Sequence, residues 1–245
     1  MRSELRTRLI AGLVGCFCAI GLRATPLWTT SDTVELSRYM RSYEAKLSTL
    51  TEFELRTTIS SFQQATAATP NEVEHTVLWR KGDRMRAEAF GTITLQDKSL
   101  CVLVDPEERM IQVSRPEGSL TTVDAEARTI MFMAAKQVRK SADPLGVRFQ
   151  LTFPANATYS TLEVVFDKQG WLRSITTVWA RPMPLEPSNP VSAMVRPKVC
   201  VEMSVPQPIA RAVDLDIAKL VDRRSATIQG VGAYAGYDVF DTRMP

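Results

Sequence analysis

Short strand-like segments dominate the hydrophobic pattern of this chain. Apolar and polar positions alternate in runs that recur about every 10–12 residues, which is typical of antiparallel strands joined by turns. The runs are FELRTTISSF, VEHTVLWRKG, RMRAEAF, SLCVLVD, RMIQVSR, VRFQLTF and KVCVEMSVP. We therefore expect one antiparallel sheet with an apolar face that other elements must cover.

Two turns are marked clearly. Residues 161–180, TLEVVFDKQGWLRSITTVWA, read as a hairpin around the turn at 167–170, because apolar residues alternate on both sides of it. The sequence Lys81-Gly82-Asp83 predicts a second tight turn, between VEHTVLWRKG and RMRAEAF. On this reading Arg84 and Arg86 point outward, while Val77, Trp79 and Met85 share the apolar face.

Two segments are predicted to form helices, and the first has the three- and four-residue apolar spacing of an amphipathic helix. Residues 33–50 follow a plausible N-cap at Asp32, with Glu35 three residues further on. Residues 124–140, DAEARTIMFMAAKQVRK, are apolar at the centre and basic at the end. We expect this second helix to act as a plug or lid over the apolar face of the sheet.

The first 24 residues are predicted to be a signal peptide or an N-terminal anchor, because a basic stretch precedes a short apolar run. The sequence Leu-Val-Gly-Cys ending at Cys16 resembles a lipidation site, whereas an apolar run continuing to residue 22 favours ordinary cleavage near Gly21 or Ala24. We expect an exported, periplasmic protein, anchored to a membrane if Cys16 is lipidated or the leader is retained.

Charge and composition exclude few functions, but they weaken the argument for nucleic-acid binding. The chain has 245 residues, of which 44% are hydrophobic, and this suits one globular domain over residues 25–245. The leader's four arginines and one glutamate account for the whole net charge of +3, so the remainder is neutral. A neutral domain offers no electrostatic argument for binding nucleic acid.

Candidate chemistry is sparse. The only histidine, His75, alternates with Val73 and Val77, which favours a core or lining residue over a metal ligand. We find no nucleophile motif, phosphate loop or dinucleotide fingerprint, so we predict no catalytic residue, metal or cofactor. Cys101 and Cys200 lie in apolar strand-like runs, where they would either form a disulfide or be two buried thiols.

The aromatic and methionine side chains on the predicted strands and plug helix indicate a ligand cavity instead, since apolar ligands are held in apolar pockets with few polar groups. The alternative is that these residues simply form the core. The candidates are Val77, Trp79, Met85, Leu103, Met110, Ile130, Phe132, Met133, Phe166, Trp171 and Trp179.

The order of these motifs resembles the periplasmic lipoprotein-carrier (LolA/LolB-like) family over about residues 33–180. The resemblance rests on VLWRKGDRMRAEAF, VLVDPEERMIQV, IMFMAA and the hairpin at 161–180. It implies a mainly β (α+β) fold: an unclosed, curved half-barrel with a long N-terminal helix and an internal helix over the concave face. It also implies a non-enzymatic carrier of lipid or lipoprotein acyl chains.

The chain departs from this family at several positions. Lys81 stands where the resemblance implies an arginine that holds the lid, and Gly82 replaces a proline. We expect Lys81→Ala to change lid mobility or ligand uptake more than Arg86→Ala does. The proline-rich connection at 181–197 and the divergent segment after it suit an alternative function, an assembly subunit of an envelope or secretion complex with a protein partner at 181–197.

Overall fold

The computed structural model describes residues 31–116, 134–184, 193–223 and 227–243. This part of the chain is mainly β, with one long α-helix, α1 (Ser31–Thr49). The predicted helix at 33–50 is thus confirmed. Its buried residues, Leu36, Met40, Tyr43 and Leu47, recur at three- and four-residue steps on one face, whereas Val34 remains exposed.

Sixteen strands follow α1 in the described residues. They are β1 (Glu52–Phe62), β2 (Glu72–Lys81), β3 (Arg84–Ala89), β4 (Thr92–Gln96), β5 (Cys101–Asp105), β6 (Met110–Ser114), β7 (Gln137–Ala142), β8 (Gly146–Thr152), β9 (Tyr159–Asp167), β10 (Leu172–Trp179), β11 (Met183–Pro184), β12 (Met194–Val195), β13 (Lys198–Met203), β14 (Val221–Asp222), β15 (Gln229–Gly230) and β16 (Asp238–Asp241). Both predicted tight turns are present, at Gly82-Asp83 and after Asp167.

Twelve of these strands form one open sheet in the order β16-β6-β5-β4-β3-β2-β1-β13-β10-β9-β8-β7. The pairs from β2 to β6 and from β7 to β10 are antiparallel, as expected. The sheet is not purely antiparallel, however, because β16 pairs with β6 in parallel. The C-terminal residues return to the sheet over a long connection, which permits parallel pairing.

The described chain falls into two compact units. The first unit comprises 31–47, 58–73, 134–184 and 193–203, and the second comprises 48–57, 74–116, 204–223 and 227–243.

The core of the first unit lies between α1 and one face of strands β7 to β10. Register places Phe149 opposite Val164 and Val147 opposite Phe166, so these side chains share a face. Tyr39 of α1 packs on that face, with its ring centroid 5.5 Å from that of Phe149 and 5.2 Å from that of Phe166. The helix thereby covers the apolar side of these strands.

The core of the second unit lies between one face of strands β2 to β6 and the C-terminal segment, which we define as 204–223 and 227–243. The strands contribute buried Trp79, Leu95, Val102, Val104, Ile111 and Val113, and the segment contributes buried Leu215, Ile217, Leu220, Val221 and Ile228. A segment with little regular structure therefore covers this face, as a helix does in the first unit.

The predicted plug helix at 124–140 is not supported. Gln137–Ala142 form strand β7 rather than the end of a helix, and residues 117–133 lie outside the described chain. QVRKSA is short enough to fit either period, and pairing of Val138 with Leu151 in β8 decides for the strand. Strand β4 was missed by the sequence reading, although Ile93 and Leu95 alternate with threonines there.

Candidate ligand-binding site

The two faces of strands β2 to β6 have different chemistry. The two-residue turn at Gly82-Asp83 pairs Lys81 with Arg84, and hence Trp79 with Arg86 and Arg80 with Met85. Residues directly opposite each other in an antiparallel pair project to the same face. Trp79 and Met85 therefore lie on opposite faces, which we call the Trp79 face and the Met85 face.

This register corrects the expectation that Val77, Trp79 and Met85 share one face with Arg86 outside. Arg86 lies on the Trp79 face, and Met85 does not. Counting pairs across a two-residue turn would have revealed the difference, because a shift of one residue moves every side chain to the other face.

The Trp79 face is packed and sealed. The Trp79 indole N–H donates to Glu54 Oε2 at 2.8 Å, and Arg56 Nε donates to Glu54 Oε1 at 2.6 Å. These two bonds, the one from Arg56 first, lower the pKa of the buried Glu54 carboxyl. The guanidinium of Arg211 lies 5.2 Å from the Trp79 ring centroid. Trp79 therefore belongs to the core, with the half-buried Val77 beside it.

Polar contacts tie the C-terminal segment to this face. Arg86 Nη1 donates to the Asp214 carbonyl oxygen at 3.2 Å, and Arg86 Nε donates to Glu88 Oε1 at 2.8 Å. Arg223 Nη2 donates to Asp97 Oδ2 at 2.6 Å. Burial alone would raise the pKa of Asp97, but hydrogen bonds from Arg223 and Ser99 outweigh it and lower that pKa to about 2.

The Met85 face is only partly covered. Register aligns Leu78, Ala87, Thr94 and Leu103 in one row across the strands. All four side chains are half-buried, as is Met110 at the start of β6, while Met85 itself is buried. The central members of the row, Ala87 and Thr94, are small, and the outer two are leucines. This arrangement can accept an apolar group against the strands without displacing a large side chain.

Three predicted cavity residues, Met85, Leu103 and Met110, thus lie on the Met85 face. The sequence reading missed Leu78, Ala87 and Thr94, which the register places beside them.

The candidates in the first unit lie in different surroundings. Phe166 is fully buried in the core under α1, with its ring centroid 6.2 Å from that of Phe149. Trp171 and Trp179 are half-buried. The Trp171 ring packs edge-on against Tyr43, and that of Trp179 packs against Tyr159. Burial raises the pKa of Tyr43 to about 12.

The next predicted site residues belong to the plug helix, the lipidation site and the lid contact. Ile130, Phe132, Met133 and Cys16 lie outside the described residues. Lys81, the predicted lid contact, is exposed at the end of β2, with Nζ 3.8 Å from Glu52 Oε1. The contact between Lys81 and a lid therefore stays a prediction.

The two cysteines are not joined in a disulfide. Cys101 in β5 lies opposite Gln96 and Ser114, and Cys200 in β13 lies opposite Thr176. Their strands are not neighbours in the sheet order, and a disulfide requires Cα atoms within about 7 Å. Burial raises the pKa of the Cys200 thiol. Both thiols are half-buried, whereas the alternative to a disulfide was that both are buried.

His75 is exposed, so the expectation of a core or lining histidine is wrong. It lies two residues before Val77, in the first half of β2, where Glu72 and Val73 are exposed as well. In the described part of the chain, no three His, Cys, Asp or Glu side chains are placed to hold a metal ion. Within the same residues, no helix has both the length and the apolar character needed to cross a membrane.

Two surface cavities have linings that mix polar and apolar residues. One, of about 580 Å³ in the second unit, lies between Arg84, Asp97 and Arg223 and the 3₁₀ helix Ile217–Lys219. The other, of about 550 Å³ in the first unit, adjoins β7. Neither cavity is lined by a predicted ligand-cavity residue.

Comparison with known proteins does not assign the chain to a family. No family model matches the sequence, and no curated protein matches it. Among solved structures, an uncharacterized conserved protein from Thermus thermophilus is similar with a TM-score of 0.42 and 9% identity, over 84% of this chain and 99% of that one. A DUF1329 family protein from Desulfovibrio piger is similar with a TM-score of 0.34 and 8% identity, over 77% of this chain and 99% of that one.

Proposed function

We propose that this protein binds an acyl chain of a lipid or lipoprotein, without catalysis, on the Met85 face of the second unit. The observation that carries the proposal is the contrast between the two faces of strands β2 to β6. The Trp79 face is sealed by the protein's own C-terminal segment, whereas the Met85 face holds a row of half-buried, small and aliphatic side chains.

The physical basis of affinity is burial of hydrocarbon. Each acyl CH₂ group removed from water contributes about 0.8 kcal/mol. Leu78 and Leu103 would flank such a chain, with Ala87 and Thr94 beneath it. On this proposal the protein acts in the bacterial envelope, as the carrier family that the motifs resemble does.

A fluorescent fatty acid tests the proposal. We expect 11-(dansylamino)undecanoic acid to bind the purified protein, and Ala87→Phe to weaken that binding about tenfold or more because a phenyl ring fills the space of about four CH₂ groups. Ala68→Phe, in the exposed loop between β1 and β2, is the matched control and should bind as the wild type does. Equal binding by both variants, or no binding and no co-purified lipid in native mass spectrometry, would refute the proposal.

A second candidate function, an assembly subunit, is favoured by one observation. Met183 and Met194 are 41% and 61% exposed on the two short paired strands β11 and β12 within the proline-rich connection. Flexible, exposed methionines are common on protein-binding surfaces. If this is the function, a stoichiometric protein partner co-purifies from the envelope, and the Met183→Ser/Met194→Ser variant loses it while still binding the fatty acid.

A further inference from the structure

Strand β7 (Gln137–Ala142) forms one end of the sheet order. Within the described residues it pairs only with β8, and five of its six residues are exposed. An edge strand of this kind presents backbone N–H and C=O groups to which an additional strand can bind.

The first turn of α1 occupies part of this edge. The backbone N–H of Lys140 donates to Asp32 Oδ2 at 3.0 Å, and Lys140 Nζ donates to Glu35 Oε1 at 2.7 Å. A backbone N–H at a strand edge normally donates to the carbonyl oxygen of a neighbouring strand. Asp32 therefore stands where the carbonyl oxygen of an incoming strand would accept.

A cavity of about 550 Å³ continues the edge at the end of β7. Ser141 and Ala142 line it from the strand, Tyr39 lines it from α1, and Lys168 lines it from the turn after β9. The carboxylate of Asp167, which also lines it, is already engaged, because its Oδ1 accepts the backbone N–H groups of Gln169 and Trp171 at 2.9 Å each. Two exposed lysines line this cavity: Lys140, which is paired with Glu35, and Lys168.

The charges around the edge indicate what it would accept. Lys136, Arg139 and Lys168 are exposed there. The acidic groups from α1 are Asp32 and Glu35, and Glu35 is already bonded to both Lys140 and Arg38. A second copy of the same strand, paired antiparallel and centred on these residues, would place Arg139 opposite Lys140 of the other copy, and like charges opposite each other destabilise strand pairing.

We propose that the β7 edge and its adjoining cavity bind an extended acidic segment of a protein partner as an added strand, and that Asp32 competes for this edge. The incoming backbone displaces the Asp32 carboxylate from the Lys140 N–H, and acidic side chains of the partner approach Lys168 and Arg139. This interaction is independent of a ligand on the Met85 face.

Fluorescence anisotropy with two labelled peptides tests the proposal. The probes are acetyl-Glu-Val-Glu-Val-Glu-Val-amide and its lysine counterpart, acetyl-Lys-Val-Lys-Val-Lys-Val-amide, added to the full chain. We expect only the acidic peptide to bind. Asp32→Ala should tighten this binding about fivefold, since one competing hydrogen bond is removed. Asp32→Asn, which keeps an acceptor, should tighten it less.

Charge reversal at Lys168 supplies the second readout. We expect Lys168→Glu to weaken binding of the acidic peptide about threefold or more through like-charge repulsion. The matched control is Lys98→Glu in the second unit, where the lysine side chain is 82% exposed and 3.4 Å from Asp83. That variant should bind the peptide as the wild type does.

Three results would overturn the proposal. The first is equal binding of the acidic and basic peptides, and the second is unchanged binding by both Asp32→Ala and Lys168→Glu when circular dichroism shows them to be folded. The third is that Asp32→Ala makes the protein dimerise without peptide, since the edge would then accept a second copy rather than an acidic partner.

Discussion

At the scale of single residues, a few buried or half-buried charged side chains hold the C-terminal segment of the second unit against its strands. Asp97 is the best defined of them, because its side chain accepts hydrogen bonds from Ser99 and Leu100 within its own turn and from Arg223 in the C-terminal segment. One carboxylate therefore shapes the β4–β5 turn and holds the segment that seals the Trp79 face.

The lowered pKa of Asp97 predicts how stability depends on pH. A carboxyl with a pKa of about 2 in the folded protein and about 3.9 in the unfolded chain stabilises the fold above the higher value. This contribution is lost as the pH falls from about 4 to about 2. In urea unfolding we expect Asp97→Asn to be less stable than the wild type at pH 6, with the difference closing near pH 2. A difference that persists at pH 2 would contradict the assignment.

Arg223 tests the cause of that shift. We expect Arg223→Met to raise the pKa of Asp97, measured by carboxyl ¹³C NMR titration, because it removes the strongest of the interactions that lower it. No change in the Asp97 pKa would show that the turn alone lowers it.

Arg86 and Lys81 are both basic residues beside the Gly82 turn, but their side chains have different surroundings. Arg86 has a side chain only 18% exposed and holds the Asp214 backbone, whereas Lys81 is 66% exposed beside Glu52. We expect Arg86→Ala to lower the free energy of unfolding by about 1–3 kcal/mol and Lys81→Ala to change it by less than about 0.5 kcal/mol. Equal effects in urea unfolding would contradict the structure. The expectation that Lys81→Ala affects ligand uptake more than Arg86→Ala stays a prediction.

At the scale of elements, the C-terminal segment is the least regular part of the described chain and yet closes a core. Its short 3₁₀ helix, Ile217–Lys219, begins with Asp216 Oδ1 accepting the Ala218 N–H. Buried Ile217 belongs to the same hydrophobic cluster as Val102 and Val113 of the sheet. Burial on a sheet face, rather than helical or strand propensity, therefore holds this segment in place.

Shortening a buried side chain in the C-terminal segment should lower the stability of the fold. We expect Ile217→Ala to lower the free energy of unfolding by about 2–5 kcal/mol, since Ile217 is 2% exposed and its removal leaves a cavity. Phe240→Ala is the control, because Phe240 on β16 is 54% exposed and should have little effect. A cost at Ile217 no larger than at Phe240 would contradict the sealed Trp79 face.

At the scale of the whole molecule, the two units give separate reporters. Trp79 lies in the second unit, and Trp171 lies in the first. The chain has four tryptophans. In variants whose only tryptophan is Trp79 or Trp171, we expect the dansylated fatty acid to raise the urea midpoint reported by Trp79 and not the midpoint reported by Trp171. Ligand binding stabilises the structure to which it binds. Equal shifts would contradict a site confined to the second unit.

Much of the architecture follows from local sequence signals. The α1 helix and the hairpin of β9 and β10 were predicted because their periodicity and their turn are encoded within about 20 neighbouring residues. The tight turn at Gly82 was predicted for the same reason, and its positive φ of 62° suits glycine.

Other features required the tertiary structure. QVRKSA forms a strand because it pairs with β8. The C-terminal segment is held in place because its apolar residues are buried against the Trp79 face. The placement of Trp79 and Met85 on opposite faces depends on both kinds of information. The alternation of side chains is local, but the register of β2 with β3 must also be known. The sequence by itself therefore determined α1, the hairpin of β9 and β10 and the turn at Gly82, since those signals are local. The tertiary structure decided which face of strands β2 to β6 is core and which is only partly covered, because burial depends on residues far apart in the chain.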